Sequence, residues 1–256
     1  MAELHVENLS VTVGDQRLVD MMTLRVKAGE LVALIGPNGA GKSTLLRAIA
    51  GVQSFIGTAQ IDDQNITAMD AIERARCLVW LPQSPPAAWP VSVREAVAIG
   101  RFAWSGGHRP QSSADRRTVH DALVRCQLSD FADRPVTSLS GGELARVHLA
   151  RGLVAEAPVL LADEPVAALD PAHQLAVMQI LRDCASAGKA IVVVLHDIAL
   201  AARFADRIVA MLDGRLVGAG SPRTIITGEL LTTLYGVKAD IHWDAGVPIP
   251  LYSKPR

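Results

Sequence analysis

Apolar and polar residues alternate through the start of the chain, with Leu4 and Val6, then Leu9, Val11 and Val13, and later Leu24 and Val26 on one phase or the other. A period of two marks strands with one buried face. The phase slips near Glu7 and Asn8, which predicts antiparallel strands carrying a β-bulge. Short, continuous apolar runs follow at 31–35, 78–81, 159–162, 191–195 and 208–211. Runs of that kind read as parallel strands covered on both faces. Between positions 85 and 157 the pattern changes. There SVREAVAIGRFA and ADRRTVHDALVRC have helical periodicity, Ser92 and Glu95 spell a capping box, and WSGGHRPQSS at 104–113 is the loop between the two helices. Asp213-Gly214 marks a hairpin turn. The expected organisation is an α/β core from 1–84 and 157–235 with an N-terminal antiparallel β subdomain, a helical insertion at 85–156, and a strand-containing tail at 236–256.

Composition narrows the class of protein. The chain has 256 residues, half of them hydrophobic, enough for one sizeable core with a smaller attached subdomain. Lys plus Arg number 25 against Asp plus Glu 26, so no basic surface points to a nucleic-acid partner. Cys77, Cys126 and Cys184 are odd in number and lack metal-ligand spacing, as expected of small buried residues in a reducing compartment. No secretory signal pattern precedes the first strand, and the apolar run AIVVVL at 190–195 is far shorter than the roughly 20 residues of a membrane helix. Membrane association is therefore expected only through a partner.

The chemistry begins at GPNGAGKST, residues 36–44, between the apolar run ELVALI and the helical LLRAIAG. Strand, glycine loop and helix are the context of a phosphate-binding loop. Backbone N–H groups at such a turn converge on an anion that the helix dipole also favours. Gly36, Gly39 and Gly41 let the chain close round a polyphosphate, with Pro37, Asn38, Ala40 and Thr44 completing the loop. Lys42 reaches the outer phosphates, and the Ser43 hydroxyl suits the Mg²⁺ that bridges them. In PVLLADEP an apolar strand ends in Asp163 and Glu164, carboxylates suited to a metal shell and to polarising an attacking water. Gln83 after LVWL offers an amide to the metal or the water. His196 after AIVVVL offers a neutral imidazole to a terminal phosphate. Taken singly, an acidic strand end facing solvent or a structural histidine accounts for these residues equally well.

LSGGELAR at 139–146 narrows the reading. Ser140 and Glu143 make a second capping box, yet Gly141 and Gly142 in the first helical turn cost about 1 kcal/mol each relative to alanine. Bare N–H groups aimed at an anion account for that cost. With GPNGAGKS, Gln83, LSGGE, VLLADE, AALD and His196 in this order, the chain resembles the ATP-binding-cassette family over nearly its whole length. The resemblance implies a RecA-like P-loop NTPase core, ATP and Mg²⁺ as cofactors, and Asp163, Ser43 and Gln83 around the metal. It implies catalytic Glu164, His196 and Gln83. It also implies a head-to-tail dimer in which Ser140, Gly141, Gly142 and Glu143 of one copy meet the ATP of the other, with Asp170 at the seam.

PQSPPAAWPVSVREAVAIGR and GSPRTIITGELLTTLYGV are similar to the importer group for iron siderophores, haem and vitamin B12. That implies a peripheral subunit on the cytoplasmic face of the cell membrane, working with integral permease subunits and, through them, a substrate-binding protein. A soluble cassette ATPase without a transport role, such as an iron–sulfur assembly component, is the alternative of another class. Trp89 either lines a groove for a permease helix or fills a pocket between the insertion and the sheet. One departure affects the base: Val13 stands where the family carries an adenine-stacking aromatic, so the base is expected to be read weakly. Glu143 replaces the commoner glutamine, and VAALD lacks the usual serine.

Overall fold

The computed structural model describes residues 2–83, 91–105, 112–167 and 169–253. The chain opens with β1 (Leu4–Val13), β2 (Gln16–Val26), β3 (Leu31–Ile35), α1 (Lys42–Ile49), β4 (Ile56–Ile61) and β5 (Gln64–Asn65). Next come α2 (Ala71–Cys77), β6 (Leu78–Leu81), α3 (Val93–Ala98), α4 (Ser113–Arg125) and α5 (Gly141–Leu153). It continues through β7 (Val159–Asp163), α6 (Pro171–Ser186), β8 (Ala190–Val194), α7 (Ile198–Phe204), β9 (Arg207–Leu212) and β10 (Arg215–Gly220). It closes with α8 (Pro222–Ile225), α9 (Gly228–Tyr235), β11 (Lys238–Asp244) and β12 (Val247–Ser253).

The central sheet runs β10-β9-β3-β8-β7-β6, parallel except for β10 at one edge. Its strands are the apolar runs, and their alternation separates two cores. Leu31, Ala33 and Ile35 turn to one side, joining Leu160, Ala162, Ile191 and Val193 beneath helices that include α5 and α6. Val32 and Leu34 turn to the other, joining Leu161, Val192 and Val194 beneath α1 and a four-stranded antiparallel sheet of order β2-β1-β4-β5. The fold is thus an α/β P-loop NTPase with the antiparallel sheet on one face and most of the helices on the other.

The bulge falls where the phase slip predicts it: register shifts between Val6 and Leu9, and Asn8 takes φ 49. Ser92 and Glu95 close their capping box at α3, and α3, α4 and α5 pack on one another. The pattern gave no warning of β4, where Ile56 points outward and only Ala59 and Ile61 are buried. Nor did it announce α2, which buries no residue and so has no apolar face to read. Cys126 and Cys184 are buried free thiols, and Cys77 is a half-buried one. Among the described residues no helix is long and apolar enough to cross a membrane.

Candidate nucleotide site

The glycine loop leaves the carboxyl end of β3 and turns into α1. Where α2, α3, α5, α6 and α7 each have a side chain capping the N-terminus, α1 has Gly41 at its N-cap, in a left-handed conformation with φ 92 and no side-chain cap. Its first N–H groups remain available to an anion. The turn is also squeezed from behind. A Cβ on Gly41 would lie 2.3 Å from the Leu18 carbonyl oxygen. One on Gly214, in the β9–β10 hairpin turn, would lie 2.7 Å from the same oxygen. Gly214 N–H donates to the Ala40 carbonyl at 3.1 Å. The hairpin read from Asp213-Gly214 therefore braces the phosphate loop as well as reversing the chain.

The loop borders a cleft of about 680 Å³ lined by residues 38–44 together with Leu18, Gln83, Glu164 and His196. Lys42 is 5% exposed, and its Nζ donates to the carbonyls of Gly36 at 2.7 Å and Pro37 at 2.8 Å. Burial pulls its pKa down, opposed by the charges of Glu164 and Asp163. Ser43 Oγ donates to Asp163 Oδ1 at 2.9 Å. Asp163 is buried at the end of β7, and burial raises its pKa, against the lowering effect of the Ser43 hydrogen bond. A hydroxyl and a buried carboxylate beside a phosphate cradle form the all-oxygen donor set that a hard divalent cation takes.

Glu164 is the hub. It adopts a left-handed backbone at φ 51, which swings its carboxylate out of the strand line. Oε2 accepts from Gln83 Nε2 at 2.5 Å, and Oε1 meets His196 Nε2 at 2.5 Å. A carboxylate only accepts, so an ionised Glu164 requires the proton of His196 on Nε2. Three side chains from the ends of three parallel strands thus converge beside the cleft, where a water attacking a terminal phosphate would be oriented.

The LSGGE signature segment at 139–143 does not line this cleft. Ser140 caps α5, its Oγ accepting from Glu143 N–H at 3.3 Å while Glu143 Oε2 accepts from Ser140 N–H at 2.7 Å. Gly141 has open space where a Cβ would stand. Gly142 faces His173, whose Cγ lies 3.1 Å from the Cβ position. His173 Nδ1 in turn pairs with Asp170 Oδ2 at 2.7 Å, and Asp170 caps α6 through His173 N–H. Those bonds hold the Asp170 carboxyl below its ordinary pKa. Signature glycine, His173 and Asp170 make one contiguous surface, with His173 a link that the sequence pattern did not single out.

Val13 is 51% exposed and lies outside the cleft lining, whereas Leu18 on β2 is part of it. Trp89 lies outside the described residues.

A buried P-loop lysine, strand-end carboxylates and an uncapped helix define the chain as a P-loop nucleoside triphosphatase. The pattern of the ABC transporter family matches residues 19–167. The hemin import ATP-binding protein HmuV of Rhodococcus jostii (strain RHA1) is 42% identical over 239 residues, covering 93% of this chain and 81% of that protein. An inward-facing metal-chelate type ABC transporter aligns at 27% identity with a TM-score of 0.84, covering 98% of each chain. A dimeric bacterial ABC transporter cassette aligns at 30% identity with a TM-score of 0.74, covering 85% of this chain and 98% of that one. The chain belongs to the ABC transporter family, as an ATP-binding and ATP-hydrolysing subunit.

With no aromatic at position 13, the base should be read weakly. GTP is expected to support hydrolysis within about tenfold of ATP, a stack being worth about 1–3 kcal/mol per base. Competition between the two nucleotides at equal concentration checks this. A preference for ATP of about a thousandfold would mean that another group reads the base.

Proposed function

We propose that the chain powers import of a haem-type metal chelate through a membrane permease, hydrolysing Mg·ATP in a cleft completed by a second copy. The observation that carries the hydrolytic part is Glu164 held between Gln83 and His196 beside the phosphate loop. Ser43 and Asp163, with Gln83, would hold Mg²⁺, which when bound offsets phosphate charge. Glu164 accepts the proton of the attacking water, and His196 keeps that carboxylate turned towards the terminal phosphate. The uncapped α1 N-terminus and Lys42 bind the phosphates. The second copy supplies Ser140, Gly141, Gly142 and Glu143, because these residues lie outside the cleft of their own chain. Asp170 and His173 lie beside them at the proposed seam.

The permease contact is assigned to an apolar groove of about 310 Å³ between α2, β6, residues 99–103 and the end of α5. Exposed Ile72, Ile99, Phe102 and Trp104 lie in or beside it. Its lining also contains Trp80, whose indole N–H is buried with no partner among the described residues, and Arg151, a cation whose pKa burial lowers. An amphipathic cytoplasmic helix carrying an acceptor fits that combination. Such docking places the subunit peripherally at the cytoplasmic face, with a substrate-binding protein reached only through the permease.

Phe102→Asp is expected to weaken assembly with the permease by more than about tenfold, the scale of an anchor residue, while the isolated subunit keeps its ATPase rate and melting temperature. Titration of the subunit onto detergent-solubilised permease measures this. The cargo is tested in proteoliposomes of the assembled transporter, where haem uptake should require ATP and stop with Glu164→Gln. ATP-driven uptake of another chelate but not haem would reassign the substrate. A permease that never binds the subunit would remove the transport role.

A further inference from the structure

Asp170 caps α6 through the backbone N–H of His173, its Oδ1 accepting at 2.9 Å. Any residue but proline at 173 can supply that bond, so the cap alone gives the imidazole no task. The imidazole makes a second bond, with Nδ1 2.7 Å from Asp170 Oδ2. An ionised carboxylate only accepts, so Nδ1 carries the ring proton. Both oxygens of Asp170 are thus engaged, and the ring is held in one orientation at the start of α6.

The held ring meets the signature turn. A Cβ on Gly142 would stand 3.1 Å from His173 Cγ, 3.2 Å from Cδ2 and 3.3 Å from Nδ1. Three nearly equal distances place the face of the ring, not its edge, against the glycine. Gly142 lies in the first turn of α5, where the bare N–H groups are, and on its other neighbour's side the turn is open, Gly141 having nothing within 4 Å of its Cβ position. The first turn of α6 also reaches the loop that leaves Glu164. Gln174 Nε2 donates to the Val166 carbonyl at 3.4 Å, and Ala167 N–H donates to the Glu164 carbonyl at 3.1 Å. One helical turn therefore touches the signature through His173 and the segment after Glu164 through Gln174.

We propose that His173 is a positioning residue, its imidazole held by Asp170 so as to support Gly142 and fix the first turn of α5 in the direction that the nucleotide of a second copy requires. The proposal rests on the two-copy reading of the cleft. Its test sets His173→Ala beside His173→Asn in the full chain. Alanine keeps the N–H that Asp170 caps, so α6 stays closed, and asparagine restores a planar group with a donor near the place of Nδ1. In chains that also carry Glu164→Gln, the Kd for dimerisation driven by Mg·ATP should rise about tenfold with alanine and return to within about threefold of the parent with asparagine. The Kd for Mg·ATP of the dilute single chain should stay within about twofold in both, because the phosphate loop is untouched. With Glu164 intact, turnover at saturating ATP should fall about tenfold with alanine, the scale of a displaced binding group. Alanine chains that dimerise and turn over within about twofold of the parent would overturn the proposal. Asparagine chains as impaired as alanine chains would overturn it too, since the bond to Asp170 would then not be what matters. Parallel losses of nucleotide affinity and melting temperature would show a packing role and overturn it equally. A Glu164→Gln parent that saturates with ATP and stays a single chain would instead overturn the two-copy reading, and this proposal with it.

Discussion

Glu164→Gln is expected to lower ATP turnover by about 10²–10⁴-fold, the usual cost of removing a general base. The substitution is nearly isosteric and leaves the Ser43–Asp163 pair, 2.9 Å apart, untouched. The glutamine amide still reaches Gln83 and His196, so the shape of the cleft survives while its proton acceptor is lost. ATP affinity should therefore stay close to that of the wild type. Single-turnover kinetics with bound nucleotide separates the two effects. A variant turning over within about threefold of wild type would remove Glu164 from the role of base.

Lys42→Met should lower turnover by a different route. Lys42 is a nearly buried cation stabilised by two carbonyls, and burial depresses its pKa. A lysine whose folded pKa lies below its unfolded value costs stability at every pH where it is charged, and neutral pH lies in that window. Removing the charge takes away that cost together with the phosphate contact. The melting temperature is expected to hold or rise, while turnover falls by about 10²–10³-fold, the scale of losing one electrostatic clamp on the transition state. Thermal unfolding beside ATPase measurement tests the pair of outcomes. A variant that melts much lower and still hydrolyses ATP would invert the account of this residue.

What the sequence made legible were features of one element or one junction. Continuous apolar runs became the parallel strands because both of their faces are covered, and capping boxes at Ser92 and Ser140 formed as spelled because they are closed within four residues. Glu164, Gln83 and His196 could be placed at strand ends from the pattern alone. Their mutual hydrogen bonds could not, since they depend on strand order. The groups that escaped the reading share a cause. Leu18, His173 and the bracing role of Gly214 depend on approaches between segments distant in the chain. Leu18 reads as one more apolar strand residue until its carbonyl is seen behind Gly41. Val13 shows the opposite case, a position named by resemblance that is half exposed while Leu18, further along β2, lines the cleft.

The central claim is that ATP is held between the phosphate loop of one copy and the signature helix of another. Light scattering of Glu164→Gln chains with Mg·ATP tests it directly, because that variant binds nucleotide without consuming it. The mass should rise from that of one chain to that of two as nucleotide saturates, and Gly141→Asp, which adds a carboxylate where the signature surface is open, should abolish the rise. Protein that saturates with ATP and keeps the mass of one chain at every concentration would contradict the claim.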